Sequence, residues 1–380
     1  MRVFERSREE LAGRGAGIVT HPELFAILAR AGASIDPATL GVSVEGRRVL
    51  DVSGRIVGER PLPQILTSWG RLYETIRALV PPDLVSLGAN LVRIEQRDDE
   101  VTVHFEDGRT ASADLLVGAD GLFSAVRRHV APAVEPTYAG YVAWRGLVEE
   151  SDLSGETRDA IVDHFAFCLP RGEQILGYPV SGRADARAKG GRRFNFVWYR
   201  PANETHLGEL LTDTDGIRHG LSIPPNRISP DVLAAMRQDA ERLLAPAFAE
   251  VIRKTEQPFL QAILDLETPA MSYGRNIAII GDAAFVARPH VGMGVTKAMA
   301  DGASLADALV DSNGDVPTAL AAFDRRRRPY GAAVVDRARA LGAYMQAQQL
   351  DARQRQDSER HRRPEAVLAE TAVVPPGLPN

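Results

Sequence analysis

The segment Ile277–Ala284 constrains the fold of this chain more than any other. It is a short apolar run that ends in Gly281-Asp282, and a loop rich in proline and glycine, residues 288–294, then leads into a long amphipathic stretch. This pattern predicts a buried strand, a tight turn and a helix. An acidic residue at such a strand end accepts hydrogen bonds from sugar-type hydroxyls, and glycines let the backbone approach a flat ligand. A plain strand-to-helix connection is the alternative, but it does not require these residues.

The composition argues against several classes of protein. A formal net charge of −5 gives no electrostatic case for a nucleic-acid partner, and we interpret the run Arg325–Arg328 as a solvated helix face. The single cysteine, Cys168, excludes an intrachain disulfide and thiolate metal clusters, and no His, Asp and Glu set has metal-ligand spacing, so we expect no metal. We find no apolar run of membrane-spanning length and no signal peptide. A cytoplasmic protein without a membrane partner is expected.

The order of predicted elements indicates an α/β fold with an insertion. Strands and helices at both ends predict a three-layer, Rossmann-like nucleotide-binding domain formed by residues 1–137 and 265–350, with long C-terminal helices. Residues 138–264 are strand-rich and predict a β-sheet domain that binds the substrate. We expect the charged, Pro-rich tail, residues 351–380, to be partly disordered. Predicted strands of the middle region are 141–148, 162–169, 174–180 and 193–199, and predicted helices are 22–30, 68–80, 204–211, 230–254 and 317–349.

Two further motifs place acidic residues at predicted strand ends. Glu5, in Glu5-Arg6-Ser7, follows a strand and is positioned to bind a pair of ribose hydroxyls, although a glutamate at a strand end is commonplace. Asp120 follows a buried run that ends at residue 118, on the side where open α/β sheets bind ligands. The alternative is that Asp120 only caps the helix that opens at Ser124.

In this order and spacing, the three motifs resemble those of the single-component FAD-dependent aromatic hydroxylases, the family of para-hydroxybenzoate hydroxylase. The family marks are the acidic-Arg-Ser end of the second strand, the Asp-Gly pair at Asp120 and the Gly-Asp pair at Asp282. The stretches 135–146 and 14–19 look like the branch that contains 2,6-dihydroxypyridine 3-monooxygenase. The resemblance covers the chain to about residue 345.

The resemblance implies an enzyme that hydroxylates an electron-rich aromatic ring of the hydroxypyridine or phenol type. NADH or NADPH would reduce bound FAD, O2 would add to give a flavin hydroperoxide, and one oxygen atom would pass to the small aromatic substrate. A homodimer is also implied. Asp120 and Arg127 belong to a motif linked to both FAD and the pyridine nucleotide, and Glu5 would bind the adenosine ribose. The residues implied to bind the cofactor are Glu5, Arg6, Arg71, Asp120, Arg127, Asp282, Pro289, Gly292, Met293 and Gly294.

Three residues are candidates for moving the proton of a substrate hydroxyl: His21, Tyr199 and His290. His21 follows a glycine-rich loop that approaches the flavin in the family, and the alternative is an exposed histidine at a helix start. Tyr199 is expected on the sheet face opposite Trp198, where it contacts substrate or else belongs to the core. His290 lies within the flavin loop. We interpret Arg145 as half of a structural ion pair, with attraction of an anionic substrate as the alternative.

The chain departs from the family pattern at its beginning. The family opens with a strand and a Gly-x-Gly-x-x-Gly turn, whereas Met1 falls in what corresponds to the second strand, so the first βα unit is missing. We expect that the true start lies upstream; otherwise the truncated chain binds FAD poorly and its strand at residues 1–4 has no neighbour. A flavin-dependent oxidase or dehydrogenase without oxygen insertion, or a non-enzymatic remnant, are the alternative functions.

Overall fold

The computed structural model describes residues 1–11, 17–348, 351–375 and 377–378, so the predicted glycine-rich stretch at residues 13–16 lies outside the described residues. The strands are β1 (Val3–Phe4), β2 (Gly17–Val19), β3 (Val42–Leu50), β4 (Ile56–Ser68), β5 (Val85–Ser86), β6 (Leu91–Gln96), β7 (Val101–Phe105), β8 (Thr110–Ala113), β9 (Leu116–Gly118), β10 (Thr137–Glu149), β11 (Phe165–Cys168), β12 (Gln174–Val180), β13 (Arg193–Pro201), β14 (Ser222–Ile223), β15 (Phe259–Glu267), β16 (Ser272–Tyr273), β17 (Ile277–Ile279) and β18 (Phe285–Val286). The helices are α1 (Pro22–Arg30), α2 (Pro37–Leu40), α3 (Trp69–Arg77), α4 (Ala125–Val130), α5 (Gly155–Thr157), α6 (Glu204–Leu210), α7 (Pro230–Leu243), α8 (Pro246–Lys254), α9 (Gly294–Asp311), α10 (Val316–Gly342), α11 (Ala352–Glu359) and α12 (Pro364–Glu370).

The middle of the chain folds around one large sheet with the strand order β14-β15-β10-β13-β12-β11-β3-β4-β2, and β18 also pairs with β15. Side chains alternate between the two faces of each strand. One face carries Trp144, Phe194 and Trp198 and packs on α7 and α8. The opposite face carries Tyr178 and Tyr199. They share a core with side chains of β3 and β4 and with residues near the C-terminus. The prediction that Tyr199 lies opposite Trp198 is confirmed.

The large sheet extends beyond the predicted substrate domain. β3 pairs in parallel with β11, with Arg47 opposite Phe165, and β4 is the antiparallel partner of β3. Strands from residues 17–68 therefore belong to this sheet, so the division proposed at residue 137 does not separate the sheets. β12 has the predicted bounds, whereas β11 is shorter than predicted because Arg158–Val162 forms a π-helical turn.

The nucleotide-binding part has the three layers that the sequence predicts. β16, β17 and β9 form one sheet, in which β17 and β9 run parallel, and β6, β7 and β8 form an antiparallel meander. A single core joins the meander, the sheet, α9 and α10, and it includes Val103, Ile279, Leu305 and Phe323. The α/β fold class with long C-terminal helices is thereby confirmed.

The first strand is not isolated. β1 pairs in parallel with β5, with Val3 opposite Val85, so the expectation that this strand has no neighbour is wrong. The ring of Phe4 also packs on that of Phe105, with 4.7 Å between the ring centroids. These contacts fix the strand end at which Glu5 stands.

Two helical regions differ from the prediction. The expected helix at residues 230–254 is divided into α7 and α8, because Pro246 cannot continue a helix but suits the first turn of a new one. The tail is ordered where we expected partial disorder: α11 and α12 form, and Val367 and Leu368 are buried against the large sheet. None of the described helices combines the length and the apolar character needed to cross a membrane.

Candidate functional site

The Asp-Gly and Gly-Asp motifs lie at the same edge of one sheet. β9 and β17 are parallel neighbours, so the turns that follow them, carrying Asp120 and Asp282, are adjacent. Arg127 is buried and joins the two turns. It donates a hydrogen bond from Nη1 to the carbonyl oxygen of Ala283 at 3.1 Å and from Nη2 to that of Leu122 at 2.6 Å. Three predicted site residues are thus brought to one cleft.

Asp282 presents its carboxylate to solvent from a rigid turn. Gly281 has φ +61°, its amide donates to Asp301 at 3.0 Å, and its carbonyl accepts from Lys297 Nζ at 2.9 Å. Asp301 is buried and also accepts from Arg327 at 2.8 Å. The walls of the cleft desolvate Asp282 and raise its pKa, while the Lys297 ammonium opposes that shift. The turn therefore holds a hydrogen-bond acceptor in a fixed position.

Helix α9 begins beside this turn and has no side-chain cap at its N-terminus. The first amide groups of a helix lack partners within the helix and form its positive end. Gly294 is exposed and no atom lies within 4 Å of where its β-carbon would be, so the backbone at this residue is open to a ligand. The buried Thr296 Oγ1 has no hydrogen-bond partner among the described residues. Together with Asp282, these donors and acceptors fit the FAD that the resemblance implies.

Pro289 and Met293 flank this backbone. Pro289 is half-buried and begins the short 3₁₀ turn that leads to Gly292. The side chain of Met293 is buried among Val291 and Leu341. A contact between Met293 and a cofactor would therefore come from its backbone.

Asp120 caps helix α4. Its carboxylate accepts hydrogen bonds from the amides of Ala125 at 2.6 Å and Val126 at 3.1 Å, and from the hydroxyl of Ser124. The capping interpretation accounts for these contacts, and a role of Asp120 in cofactor binding stays a prediction.

The N-terminal candidates lie in separate surroundings. Glu5 Oε1 accepts a hydrogen bond from the Ser7 amide at 2.7 Å, and Arg6 is exposed. Arg71 Nη2 lies 3.9 Å from Asp185 Oδ2, and its buried Nε has no partner among the described residues. The roles of Glu5, Arg6 and Arg71 at the adenosine and pyrophosphate stay predictions.

His21 is buried rather than exposed, and it joins the start of α1 to the loop before α9. Its Nε2 lies 3.0 Å from the carbonyl oxygen of Gly292. Because a carbonyl oxygen only accepts, Nε2 carries the proton and Nδ1 is the acceptor of the neutral ring. Burial lowers the pKa of His21, although the bond to Gly292 opposes that shift. The neutral ring therefore keeps a basic nitrogen to which no described residue donates a hydrogen bond.

His290 is fully buried, and both of its ring nitrogens have partners. Nε2 lies 2.9 Å from the Tyr141 hydroxyl and Nδ1 lies 3.2 Å from Gln174 Oε1. The Gln174 oxygen accepts, so Nδ1 carries the proton and Nε2 accepts the proton of Tyr141. Burial lowers the pKa of His290 to about 3, with a smaller contribution from the charge of Arg288. The ring centroid of Tyr199 lies 4.2 Å from that of His290, so the structure brings these two candidates together.

The C-terminal residues form part of the same wall. The Ala372 amide donates to the carbonyl oxygen of His290 at 2.7 Å, and a β-carbon on Gly292 would lie 2.7 Å from Ala372. Arg47 is buried beneath the tail and donates to the carbonyl oxygens of Leu368 at 3.3 Å and Ala372 at 3.0 Å. These carbonyls lie at the negative end of α12, which stabilises the buried cation. No local signal predicts these contacts, because they join distant parts of the chain; Arg47 and Ala372 lie 325 positions apart.

Within the described ranges, no group of three or more His, Cys, Asp or Glu side chains is arranged to hold a metal ion. Asp120 is engaged with amides and Asp301 with an amide and two cations, whereas Asp282 is exposed.

Comparison with known proteins identifies relatives of this chain. The sequence model of the family described as "FAD binding domain-like" matches residues 138–265. The chain is 32% identical over 346 residues to 2,6-dihydroxypyridine 3-monooxygenase of Paenarthrobacter nicotinovorans, covering 90% of this chain and 85% of that enzyme. It is 29% identical over 353 residues to 3-amino-4-hydroxybenzoate 2-monooxygenase of Streptomyces cremeus, covering 90% and 80%. The solved structure of 2,6-dihydroxypyridine-3-hydroxylase from Arthrobacter nicotinovorans superposes with a TM-score of 0.84 at 31% identity, covering 91% of this chain and 86% of that one.

Proposed function

The chain belongs to the FAD-dependent aromatic monooxygenases, and we propose that it hydroxylates a small hydroxylated aromatic ring with NADH or NADPH as the reductant. The observation that carries this proposal is one shared wall. The loop Pro289–Gly294, which we assign to the flavin, contacts the face of the large sheet that carries Tyr199. A cofactor at the loop and a ring at the sheet would therefore meet.

The residues around the cleft suit FAD binding. Asp282 offers an acceptor for ribityl hydroxyls, and the uncapped start of α9 offers amide donors. Gly281 and Gly292 adopt the positive φ values of +61° and +67° that shape the two turns beside this cleft. When bound, FAD supplies the redox and oxygen-transfer chemistry, and the protein positions the substrate and moves its proton.

Among the three candidates for the proton-transfer step, we assign the general base to His21. Its Nδ1 is an acceptor without a described donor, and its ring is neutral at pH 7. His290 has both nitrogens engaged, so we assign it to holding Tyr141. Burial raises the pKa of Tyr199 to about 12, so its hydroxyl stays protonated and donates to a substrate oxygen. Tyr199 would then serve as a hydrogen-bond donor to the substrate and His21 as the acceptor of its proton.

Other features of the proposal rest on family membership. From family membership we propose that the enzyme uses NADH or NADPH, forms a homodimer and is cytoplasmic. The assignments of Glu5, Arg6 and Arg71 to the adenosine end of the cofactor also rest on family membership.

Coenzyme consumption coupled to product mass tests the proposal. The FAD-loaded protein is screened with hydroxypyridines, hydroxynicotinates and phenols, and the products are weighed by mass spectrometry in the presence of ¹⁸O2. We expect substrate-stimulated NAD(P)H oxidation and a product that gains one labelled oxygen atom. Oxidation of the substrate without gain of oxygen would instead identify an oxidase or dehydrogenase.

A further inference from the structure

Arg145 has no ion-pair partner in the part of the chain that the structure describes. We interpreted it from the sequence as half of a structural ion pair, but within the described residues its guanidinium contacts no carboxylate and makes no hydrogen bond. Its Nε is buried and without a partner, although the side chain as a whole is only half-buried. A buried donor that lacks a partner is costly, so such a group is rarely retained without a ligand to satisfy it.

The register of the large sheet places Arg145 on the face that we assign to the substrate. On β10 and β13, Arg145 lies opposite Val197 and Ala143 lies opposite Tyr199. Because side chains alternate along each strand, Arg145 shares a face with Tyr199 and points away from the aromatic core of the other face. The arginine therefore lies beside the tyrosine that is proposed to donate to the substrate.

Asn195 supplies a second unpartnered donor on the same face. It lies opposite Leu147 on β10 and opposite Tyr178 on β12. Its Oδ1 accepts from the amide of Gly17 at 3.3 Å, whereas its buried Nδ2 has no partner among the described residues. The amide oxygen of Asn195 is therefore bonded, whereas its amide nitrogen has a free donor among the described residues.

The electrostatic surroundings agree with this placement. The charge of Arg145 opposes the rise that burial causes in the pKa of Tyr178 and Tyr199, and it contributes to the low pKa of His290. The guanidinium therefore lies close to all three groups.

We propose that Arg145 and Asn195 recognise a negatively charged oxygen of the aromatic substrate, so that the enzyme prefers aromatic anions to neutral rings of the same shape. This inference rests on the proposed function, because it assigns the charge of the substrate in that site. A planar guanidinium binds a carboxylate through two parallel hydrogen bonds, and it binds a ring oxyanion through one. The carboxylate and the ring oxyanion both present a negatively charged oxygen to Arg145, and the test distinguishes between them.

The test measures binding to the FAD-loaded enzyme and its Arg145→Gln, Arg145→Lys and Asn195→Asp variants. The probes are 4-hydroxybenzoate and 6-hydroxynicotinate as acids, phenol as the neutral ring, and a nitrophenol whose hydroxyl ionises near neutral pH. Dissociation constants come from calorimetry, and KM and kcat from coenzyme oxidation. Arg183→Gln is the matched control, since the Arg183 side chain is 87% exposed and pairs only at the surface with Glu149.

We expect Arg145→Gln to weaken the binding of the acids by about 10- to 100-fold while changing phenol by less than about 3-fold. Arg145→Lys restores part of the affinity, and Asn195→Asp weakens the acids further because it places a carboxylate beside the guanidinium. If Arg145 binds a ring oxyanion, Arg145→Gln weakens the binding of the nitrophenol only above the pKa of its hydroxyl. If Arg145 binds a carboxylate, the same variant weakens the binding of the two acids at every pH tested. Arg183→Gln changes none of these constants.

The two failures are distinguishable. If the FAD-loaded wild-type protein oxidises no coenzyme with any aromatic compound, the proposed function fails. If it hydroxylates aromatic rings but Arg145→Gln binds acids and phenol as the wild type does, the anion assignment alone is overturned. A variant that loses FAD without losing the preference for acids would show that Arg145 serves the cofactor, and it would equally overturn the assignment.

Discussion

His21 Nε2 lies 3.0 Å from the carbonyl oxygen of Gly292, so the first residue before α1 holds the flavin loop at the point where its backbone turns left-handed. This bond fixes which nitrogen of the imidazole carries the proton. It leaves Nδ1 as the only ring nitrogen of His21 that can accept a proton from a substrate hydroxyl.

Replacing His21 by glutamine tests its assignment as the general base. The glutamine amide can still donate to Gly292, but it cannot take up a proton, so we expect kcat to fall by about 100-fold or more with FAD content unchanged. The acid limb of the pH–kcat profile, which lies below the ordinary histidine pKa, should disappear with it. His206→Gln is the control, because His206 is exposed and pairs only with Glu209. An unchanged kcat and pH profile would reduce His21 to a structural donor.

Asp282→Asn tests the acceptor at the end of β17. An amide of the same size lacks the charge and one acceptor, so we expect the FAD dissociation constant to rise by about 10- to 100-fold. Flavin fluorescence titration of the apoprotein measures this change, and the melting temperature of the apoprotein should stay near the wild-type value. Asp311→Asn serves as the control, since Asp311 is exposed at the end of α9. Equal FAD affinity in both variants would remove Asp282 from the cofactor site.

Gly292→Ala tests the close contact between the flavin loop and the tail. Alanine at φ +67° costs about 1–2 kcal/mol of backbone strain, and its β-carbon would overlap Ala372. We expect the tail to detach, which limited proteolysis after residue 363 would report, together with weaker FAD retention. Gly155→Ala is the control, because no atom lies within 4 Å of a β-carbon there. Wild-type protease resistance in Gly292→Ala would contradict the described packing.

The pKa of His290 predicts that the protein loses stability in acid. Its folded pKa of about 3 lies below the ordinary value of 6.5, so between these values the unfolded chain binds the proton and the folded chain does not. The contribution of His290 to the free energy of unfolding is therefore fully present above about pH 6.5. It decreases as the pH drops, by up to about 1.4 kcal/mol per pH unit. Denaturant unfolding of wild type and His290→Gln between pH 4 and 8 measures the difference. Parallel pH profiles for the two proteins would show that His290 is not the source.

Arg47→Met tests how the tail is held. Methionine keeps an apolar stem of similar length but removes the hydrogen bonds that Arg47 donates to the carbonyls of Leu368 and Ala372, so we expect a loss of about 2–4 kcal/mol in the free energy of unfolding. Arg55→Met is the control, since the Arg55 side chain is 82% exposed and should change stability by about 0.5 kcal/mol or less. A stability of Arg47→Met within that same range would show that the tail is anchored elsewhere.

The elements near the cofactor could be predicted because their signals are local. The apolar run before Asp282 and the alternation in β12 and β13 depend on neighbours in sequence, and the structure confirms those strands. The hairpin of β3 and β4 was missed although Val42, Val44 and other buried positions of β3 carry a partial period of two. Its membership in the large sheet depends on pairing with β11, more than a hundred residues away.

The polar contacts of the site were the least predictable part. The sequence around Arg145 does not show that its guanidinium has no carboxylate partner, because such a partner can come from any strand that the fold places beside it. The burial of His21 likewise depends on where the Gly292 loop lies, not on the helix that His21 begins. Both are consequences of tertiary packing, which local propensity does not encode.

The anchoring of the tail by Arg47 sets an order of events during synthesis. Arg47 leaves the ribosome early, and its acceptor on Ala372 follows 325 residues later. At ordinary translation rates this interval is on the order of tens of seconds. Until then a guanidinium destined for the interior has to stay hydrated, and the wall behind the flavin loop remains open. We therefore expect nascent chains to retain FAD only after translation passes residue 372. Docking of the tail would then precede stable binding of the cofactor.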